Sequence, residues 1–146
     1  MSFFDAIDLA ASGLTAERTR MDVTSENLAN AQTTQGANGQ PYRRQEVVLQ
    51  QVGNTFGTQL AGAMGQSGAT PGGVQVAGIV DDPTPDQLVY DPGHPGANAQ
   101  GYVRMPNVNP VTEMTDLISE SNSYQADVTA MSTAKTMYSK TLDLLK

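Results

Sequence analysis

The chain has 146 residues, a one-domain length that excludes large two-domain enzyme architectures. Leu, Ile, Val and Phe together number only 28, which predicts a small core that other chains must complete. The net charge of −7 is spread along the chain, and its eight Lys and Arg form no run longer than Arg43-Arg44, so we expect no nucleic-acid partner.

The first predicted element is a helix over residues 3–31, a stretch with no Pro and a single Gly. Four apolar residues recur in it at a strict spacing of seven: Ile7, Leu14, Met21 and Leu28. A single apolar row of this kind is narrower than the face of an ordinary globular helix and is typical of a coiled-coil seam.

The middle of the chain, residues 32–109, holds 13 of the 14 Gly and seven of the eight Pro, which excludes long helices. Stretches rich in strand-forming residues predict four short strands, within 42–52, 74–80, 87–90 and 101–105. Residues 53–73 contain seven Gly and predict a mobile loop.

The last predicted element is a long helix that starts at Asn109-Pro110, an N-cap residue followed by Pro at the first helical position. Acidic residues in its first turns, Glu113 among them, suit the positive end of the helix dipole. A second apolar row occupies every seventh position: Leu117, Tyr124, Met131, Tyr138 and Leu145.

Together these elements predict a mainly α fold. Its long N- and C-terminal helices would pack as a coiled-coil-like pair, with a small, irregular, β-containing insertion rich in Gly and Pro between them. The predicted boundaries are 1–34 for the N-terminal helical segment, 35–108 for the insertion with its mobile 53–73 loop, and 109–146 for the C-terminal helix.

The chain offers little material for catalysis, because it has one His and no Cys. Turn geometry explains His94, which lies between Gly and Pro residues. Asp81, Asp82 and Asp86 lack the ligand spacing of a calcium loop and are interpreted as a solvated acidic turn. We therefore predict no enzyme activity, no catalytic, cofactor-binding or metal-binding residues, and no cofactor.

The N-terminal sequence is acidic where a secretory signal peptide is basic, since Asp5 follows the two Phe residues. The chain also contains no apolar run near the ~20 residues that span a bilayer. The sequence therefore predicts neither a cleaved signal peptide nor direct membrane insertion.

The first helix carries a fairly specific motif: Ser12-Gly13-Leu14, Arg20-Met21-Asp22-Val23 and Asn27-Leu28-Ala29-Asn30-Ala31. This motif resembles the N-terminal signature of the flagellar rod, hook and hook-associated axial proteins. Further segments match the rod proteins of that family: Gly39–Arg44, Asp91–Pro95, Gly101–Val103, Pro106–Asn109 and Ser123–Ala126. Glu26 and Leu28 depart from the residues common in the family, Asn and Ile.

The resemblance implies a structural subunit of the bacterial flagellar basal-body rod, in the periplasm. Such a subunit assembles with copies of itself and other rod proteins into a helical tube that transmits torque and continues the export channel. It also implies passage through the flagellar type III export apparatus. The nine residues of the two apolar rows would then form the assembly interface.

Three other interpretations remain open. One is another rod or hook axial protein, the second a non-flagellar coiled-coil adaptor, and the third a peptidoglycan-cleaving enzyme, for which the sequence offers no convincing acidic pair. Asn27 and Asn30 also have two interpretations, because they suit either a hydrogen bond to a neighbouring chain or the C-terminal end of a helix.

Overall fold

The computed structural model describes residues 3–36, 38–52 and 72–143, which form two long helices and four short strands. In chain order the elements are α1 (Phe3–Ala29), β1 (Gln45–Gln51), β2 (Val74–Asp81), β3 (Gln87–Tyr90), β4 (Tyr102–Met105) and α2 (Pro110–Asp143). Most of the predicted mobile loop, residues 53–71, lies outside the described residues.

The ends of both helices follow local sequence rules. At the start of α2 the Asn109 side chain accepts a hydrogen bond from the Val111 amide (3.0 Å), and its carbonyl accepts one from the Glu113 amide (3.0 Å). This confirms the predicted Asn-Pro start. After α1, Asn30 donates from its side chain to the Glu26 carbonyl (3.0 Å), which satisfies a carbonyl of the last turn.

Strands β1 and β2 form one two-stranded sheet. They run antiparallel, because the Asp82 amide donates to the Arg44 carbonyl (2.8 Å) at one end and the Val52 amide donates to the Gly73 carbonyl (2.7 Å) at the other. Half-buried and exposed residues alternate along most of both strands, so one face of the sheet packs against the rest of the chain.

Strands β3 and β4 form a second antiparallel pair, with Val89 opposite Val103 and Tyr90 opposite Tyr102. Val103 is buried, with 2% of its surface exposed, whereas Tyr90 is 65% exposed. The rings of Tyr90 and Tyr102 meet edge to face with centroids 5.3 Å apart. The hairpin therefore packs mainly through Val103 of β4, whereas the face with Tyr90 and Tyr102 is open and all four residues of β3 are exposed.

The chain forms two compact units, each built from helix and strand residues. Unit 1 comprises the described parts of Met1–Thr19, Val48–Gly78 and Glu120–Lys146, and unit 2 comprises those of Arg20–Val47 and Ile79–Ser119. Most of the buried residues lie in unit 2: Val23, Thr24, Asn27, Ala31, Val103, Pro106, Asn107, Val108 and Glu113.

The predicted fold class is wrong. Of the described residues, 50% are helical and 19% lie in strands that form two regular antiparallel sheets, so the fold combines α and β elements and is not mainly α with an irregular insertion. The β-branched and aromatic residues of the middle region pair into ladders despite its many Gly and Pro. The predicted division at 1–34, 35–108 and 109–146 stays a prediction.

Over the described residues, neither helix combines the length and the apolar character needed to cross a bilayer.

Candidate functional site

The best-defined site is a buried polar cluster in unit 2, formed by Asn27, Tyr42, Arg44, Asp82, Asn107 and Glu113. We call it the Asn27 cluster.

At its centre, Asn27 on α1 is 1% exposed and uses its full hydrogen-bonding capacity. Its amide group donates to the Gln45 carbonyl (2.9 Å) and to Oε2 of Glu113 (3.1 Å). Its carbonyl oxygen accepts from the Gln45 amide (2.9 Å) and from the Tyr42 hydroxyl (2.9 Å). One side chain therefore joins α1 to the start of β1 and to the first turn of α2.

Glu113 and Arg44 form the ionic part of the cluster. Glu113 is 1% exposed, and its Oε1 accepts a hydrogen bond from Nε of Arg44 at 2.6 Å. The same guanidinium binds Glu46, lies 3.5 Å from Asp82 and lies 3.8 Å from Asp116. The buried carboxylate thus has both a charged and a neutral donor, which offsets the cost of removing it from water.

Asn107 extends the cluster to the residues just before α2. Its side-chain oxygen accepts from the Arg44 amide (2.8 Å), and its amide group donates to the carbonyls of Asp82 (3.4 Å) and Thr84 (3.2 Å). Hydrogen bonds from the side chain and the backbone of Thr84, followed by the charge of Arg44, lower the pKa of the Asp82 carboxyl.

The surroundings also shift the pKa of two basic or weakly acidic groups. Burial, followed by the negative charges of Glu26, Asp81 and Glu113, raises the pKa of Tyr42 to about 12, so the hydroxyl that donates to Asn27 stays protonated. Burial alone lowers the pKa of Arg44, but the hydrogen bonds and charges of Glu113 and Glu46 together outweigh it and the pKa is raised.

In unit 1 the family motif has a different role. The Ser12 hydroxyl accepts a hydrogen bond from the Val74 amide (3.1 Å) and donates to the Leu9 carbonyl (2.7 Å), which attaches the start of β2 to α1. A Cβ atom at Gly13 would lie 2.9 Å from Oδ2 of Asp127 on α2. Gly13 on α1 therefore faces the Asp127 carboxylate on α2, which would have to move to admit a larger residue.

The two points of helix approach share one spacing. Gly13 and Asn27 are 14 residues apart on α1, and Glu113 and Asp127 are 14 residues apart on α2, so each helix presents one heptad row of small or polar residues. At these two points the groups that meet are an amide, two carboxylates and a glycine, and not the residues of the predicted apolar rows.

The predicted apolar rows lie beside these contact rows. The residues on α1 are half-buried, and so are the first three on α2: Ile7, Leu14, Met21, Leu28, Leu117, Tyr124 and Met131. Tyr138 is 40% exposed, and Leu145 lies outside the described residues. Their role as an assembly interface stays a prediction.

The remaining motifs have structural partners. His94 accepts a hydrogen bond at Nδ1 from the Gly96 amide (3.0 Å), which confirms its interpretation as a turn residue. In the acidic turn, Asp86 lies 3.7 Å from Arg43. Within the described ranges no group of three or more His, Cys, Asp or Glu is placed to hold a metal ion.

Comparisons with known proteins agree with the motif. A family model described as "Flagella basal body rod protein" matches residues 7–38, and one described as "Flagellar basal body rod FlgEFG protein C-terminal" matches residues 99–144. The flagellar basal-body rod protein FlgC of Bacillus subtilis (strain 168) is 48% identical over 150 residues, which cover 100% of both chains. The chain belongs to the FlgC family of flagellar basal-body rod proteins.

Other FlgC proteins match over nearly the whole length as well. That of Yersinia enterocolitica is 46% identical over 144 residues, which cover 99% of this chain and 98% of the relative. That of Borreliella burgdorferi is 40% identical over 157 residues, covering 100% and 99% respectively. The predicted resemblance to flagellar rod proteins is confirmed. The absence of enzyme activity stays a prediction.

The sequence did not predict the Asn27 cluster, although it singled out Asn27. The structure shows that Asn27 bonds within its own chain and that Asn30 serves the end of α1, the second of the two interpretations. The sequence did contain one signal for the cluster. The chain has only eight Lys and Arg for 15 Asp and Glu, so Arg44, at the start of a predicted strand, was a candidate partner for several acids.

Proposed function

We propose that the chain is a structural subunit of the proximal flagellar rod, which packs with copies of itself and other rod proteins into a helical tube. The tube crosses the periplasm, transmits torque and continues the export channel, and the subunit reaches it through the type III export apparatus. Membership of the FlgC family supports the rod assignment.

The observation that carries the packing proposal is the outward face of α2. Val111, Met114 and Ile118, spaced three and four residues apart on one side of the helix, are 72%, 52% and 64% exposed. A helix whose outer face stays exposed to solvent normally places its apolar residues inward and its charges outward. Here this stripe is apolar and open, which suits a surface that another subunit covers.

The charges on α2 lie on the opposite side. At about 100° per residue, its five charged residues before position 139 fall within roughly a third of the circumference. They are Glu113, Asp116, Glu120, Asp127 and Lys135. Glu113 and Glu120 are buried, at 1% and 4% exposure. This inverted arrangement supports packing of the apolar stripe, which lies opposite the charges, against other chains.

Many such contacts between neighbouring subunits would resist twisting, because close-packed helices deform little. Torque transmission then needs stiffness and no chemical step. The half-buried rows that contain Leu14 and Leu117 supply further apolar surface, and we include them in the proposed interface.

The test is an aspartate at Ile118 in a strain that lacks its own copy of the protein. Ile118→Asp is expected to abolish motility and to remove the rod from purified basal bodies, since a buried carboxylate has no partner in the interface. Leu14→Asp and Leu117→Asp are expected to do the same.

Ser119→Asp is the matched control, because Ser119 is exposed and lies about 100° around the helix from Ile118. Circular dichroism of the purified Ile118→Asp protein should match that of the unaltered chain. Normal motility of the Ile118→Asp strain would rule out the outward stripe as an interface.

A further inference from the structure

The two helices need a device that fixes their register. Apolar residues recur every seven positions on α1 and on α2, for example at Leu14 and Met21 and at Leu117 and Tyr124. A slide of one helix by seven residues, about 10 Å, would therefore place similar side chains against similar side chains. Apolar contacts alone discriminate weakly between such registers.

Asn27 distinguishes the native register from shifted ones, which the apolar rows do only weakly. All four of its hydrogen bonds are made at once only where Glu113, Gln45 and Tyr42 stand around it. In a register shifted by seven residues Glu113 would lie away from its two donors, Asn27 and Nε of Arg44. A buried carboxylate without donors is costly, even where Glu120 takes its place beside Asn27.

We propose that Asn27 is a positioning residue that sets the register of α1 against α2 within unit 2. It acts through Glu113 on α2 and through the backbone of Gln45 on β1. The register of a chain's own helices goes beyond its role in a rod, so this inference stands or falls independently of the assembly proposed above.

The test measures the register directly with a pair of spin labels in unit 2. The chain has no Cys, so Ser25→Cys on α1 and Ser119→Cys on α2, both at exposed positions, give two unique labelling sites. Double electron–electron resonance on the full chain is expected to give one narrow distance. Adding Asn27→Leu is expected to give a second population.

Asn30→Leu is the matched control, because Asn30 belongs to the same motif but, among the described residues, its side chain bonds within the end of α1 and the following turn, to Glu26 and Thr33. It should keep the single distance. A protein that is merely less stable would lose the native distance gradually as urea is added. It would not show a discrete second distance in buffer without urea.

The same single narrow distance in the Asn27→Leu protein would overturn the proposal, and so would several distances in the chain that keeps Asn27. If Asn27→Leu lowers the helix content, Asn27→Ala, which adds no volume, is judged by the same criterion. Unfolding of both variants without a second distance shows that Asn27 contributes stability and not register, which also overturns it.

Discussion

Unit 2 and unit 1 achieve their order in different ways. Unit 2 surrounds a saturated polar cluster with a few buried apolar residues, such as Val103 and Val108, at 2% and 4% exposure. In the described part of unit 1 the buried residues are Ala16 and Glu120, and the others are half-buried or exposed. A small chain with few large aliphatics can thus complete one local core but not two.

The difference shows where other subunits are needed. In unit 2 the polar groups find their partners inside the chain, and Asn27 and Glu113 need nothing from outside. In unit 1 the contacts depend on small residues and on backbone groups, such as Gly13 beside Asp127 and the Val74 amide on Ser12. We therefore expect substitutions in unit 2 to act on the isolated chain more strongly.

The largest effect is expected from Glu113→Ala. It leaves the Arg44 guanidinium and the Asn27 amide buried or half-buried without their shared acceptor, which should lower the free energy of unfolding by about 3 kcal/mol or more. Urea unfolding followed by circular dichroism measures it. Amide exchange at Gln45, whose N–H donates to Asn27, should accelerate as well.

Asp116→Ala is the control, since Asp116 also lies near Arg44, at 3.8 Å, but its side chain is 44% exposed. An exposed ion pair contributes about 0–1 kcal/mol, so the loss should be small. Equal losses from the two substitutions would contradict a cluster whose strength comes from burial.

In unit 1 a smaller loss is expected from Gly72→Ala. A Cβ atom at Gly72 would lie 1.7 Å from the backbone carbonyl oxygen of Val52, and a backbone atom cannot move aside as a side chain does. Overpacking of this kind costs about 1–3 kcal/mol. Urea unfolding should therefore show a loss of about 2 kcal/mol.

Gly78 provides the comparison, because a Cβ atom there meets nothing within 4 Å. Gly78→Ala should change the unfolding free energy by less than about 0.5 kcal/mol in either direction. If Gly72→Ala were as harmless as Gly78→Ala, the close pairing of β1 and β2 in unit 1 would be wrong.

Elements whose signals are local were predictable from the sequence. Strand β3 was predicted and found at Gln87–Tyr90, and α2 begins at the predicted Asn109-Pro110 start, because strand formers and caps act over a few residues. The fold class was missed because Gly and Pro content was interpreted as irregularity. Those residues mark the turns between strands that pair regularly.

The site was less predictable because its key contact is distant in sequence. Arg44 and Glu113 are 69 positions apart, and no periodic pattern connects them. Glu113 also had a sufficient local explanation as an acid in the first turn of a helix. The heptad rows were real sequence features, but they did not show that Gly13 and Asn27, one position before two of their residues, also contact α2.

The smallest expected effect is that of Tyr42 on the stability of unit 2, and it depends on pH. Tyr42 has a pKa of about 12 in the folded chain and an ordinary value of 10.0, so folding favours its neutral form. Its contribution is fully present below pH 10 and is lost as the pH rises from 10 towards 12, where the unfolded chain releases the proton first. Tyr42→Phe removes one hydrogen bond to Asn27 and should cost about 1 kcal/mol at neutral pH. Urea midpoints measured from pH 8 to 11.5 should then fall less steeply in the Tyr42→Phe protein than in the unaltered chain, because phenylalanine has no proton to lose.

Tyr90→Phe is the control, since Tyr90 lies on the open face of the β3–β4 hairpin and its removal should leave the steep alkaline fall in place. Parallel curves for the unaltered chain and Tyr42→Phe would mean that the Tyr42 hydroxyl stabilises unit 2 no more when protonated than when ionised, and the hydrogen bond to Asn27 would lose its support.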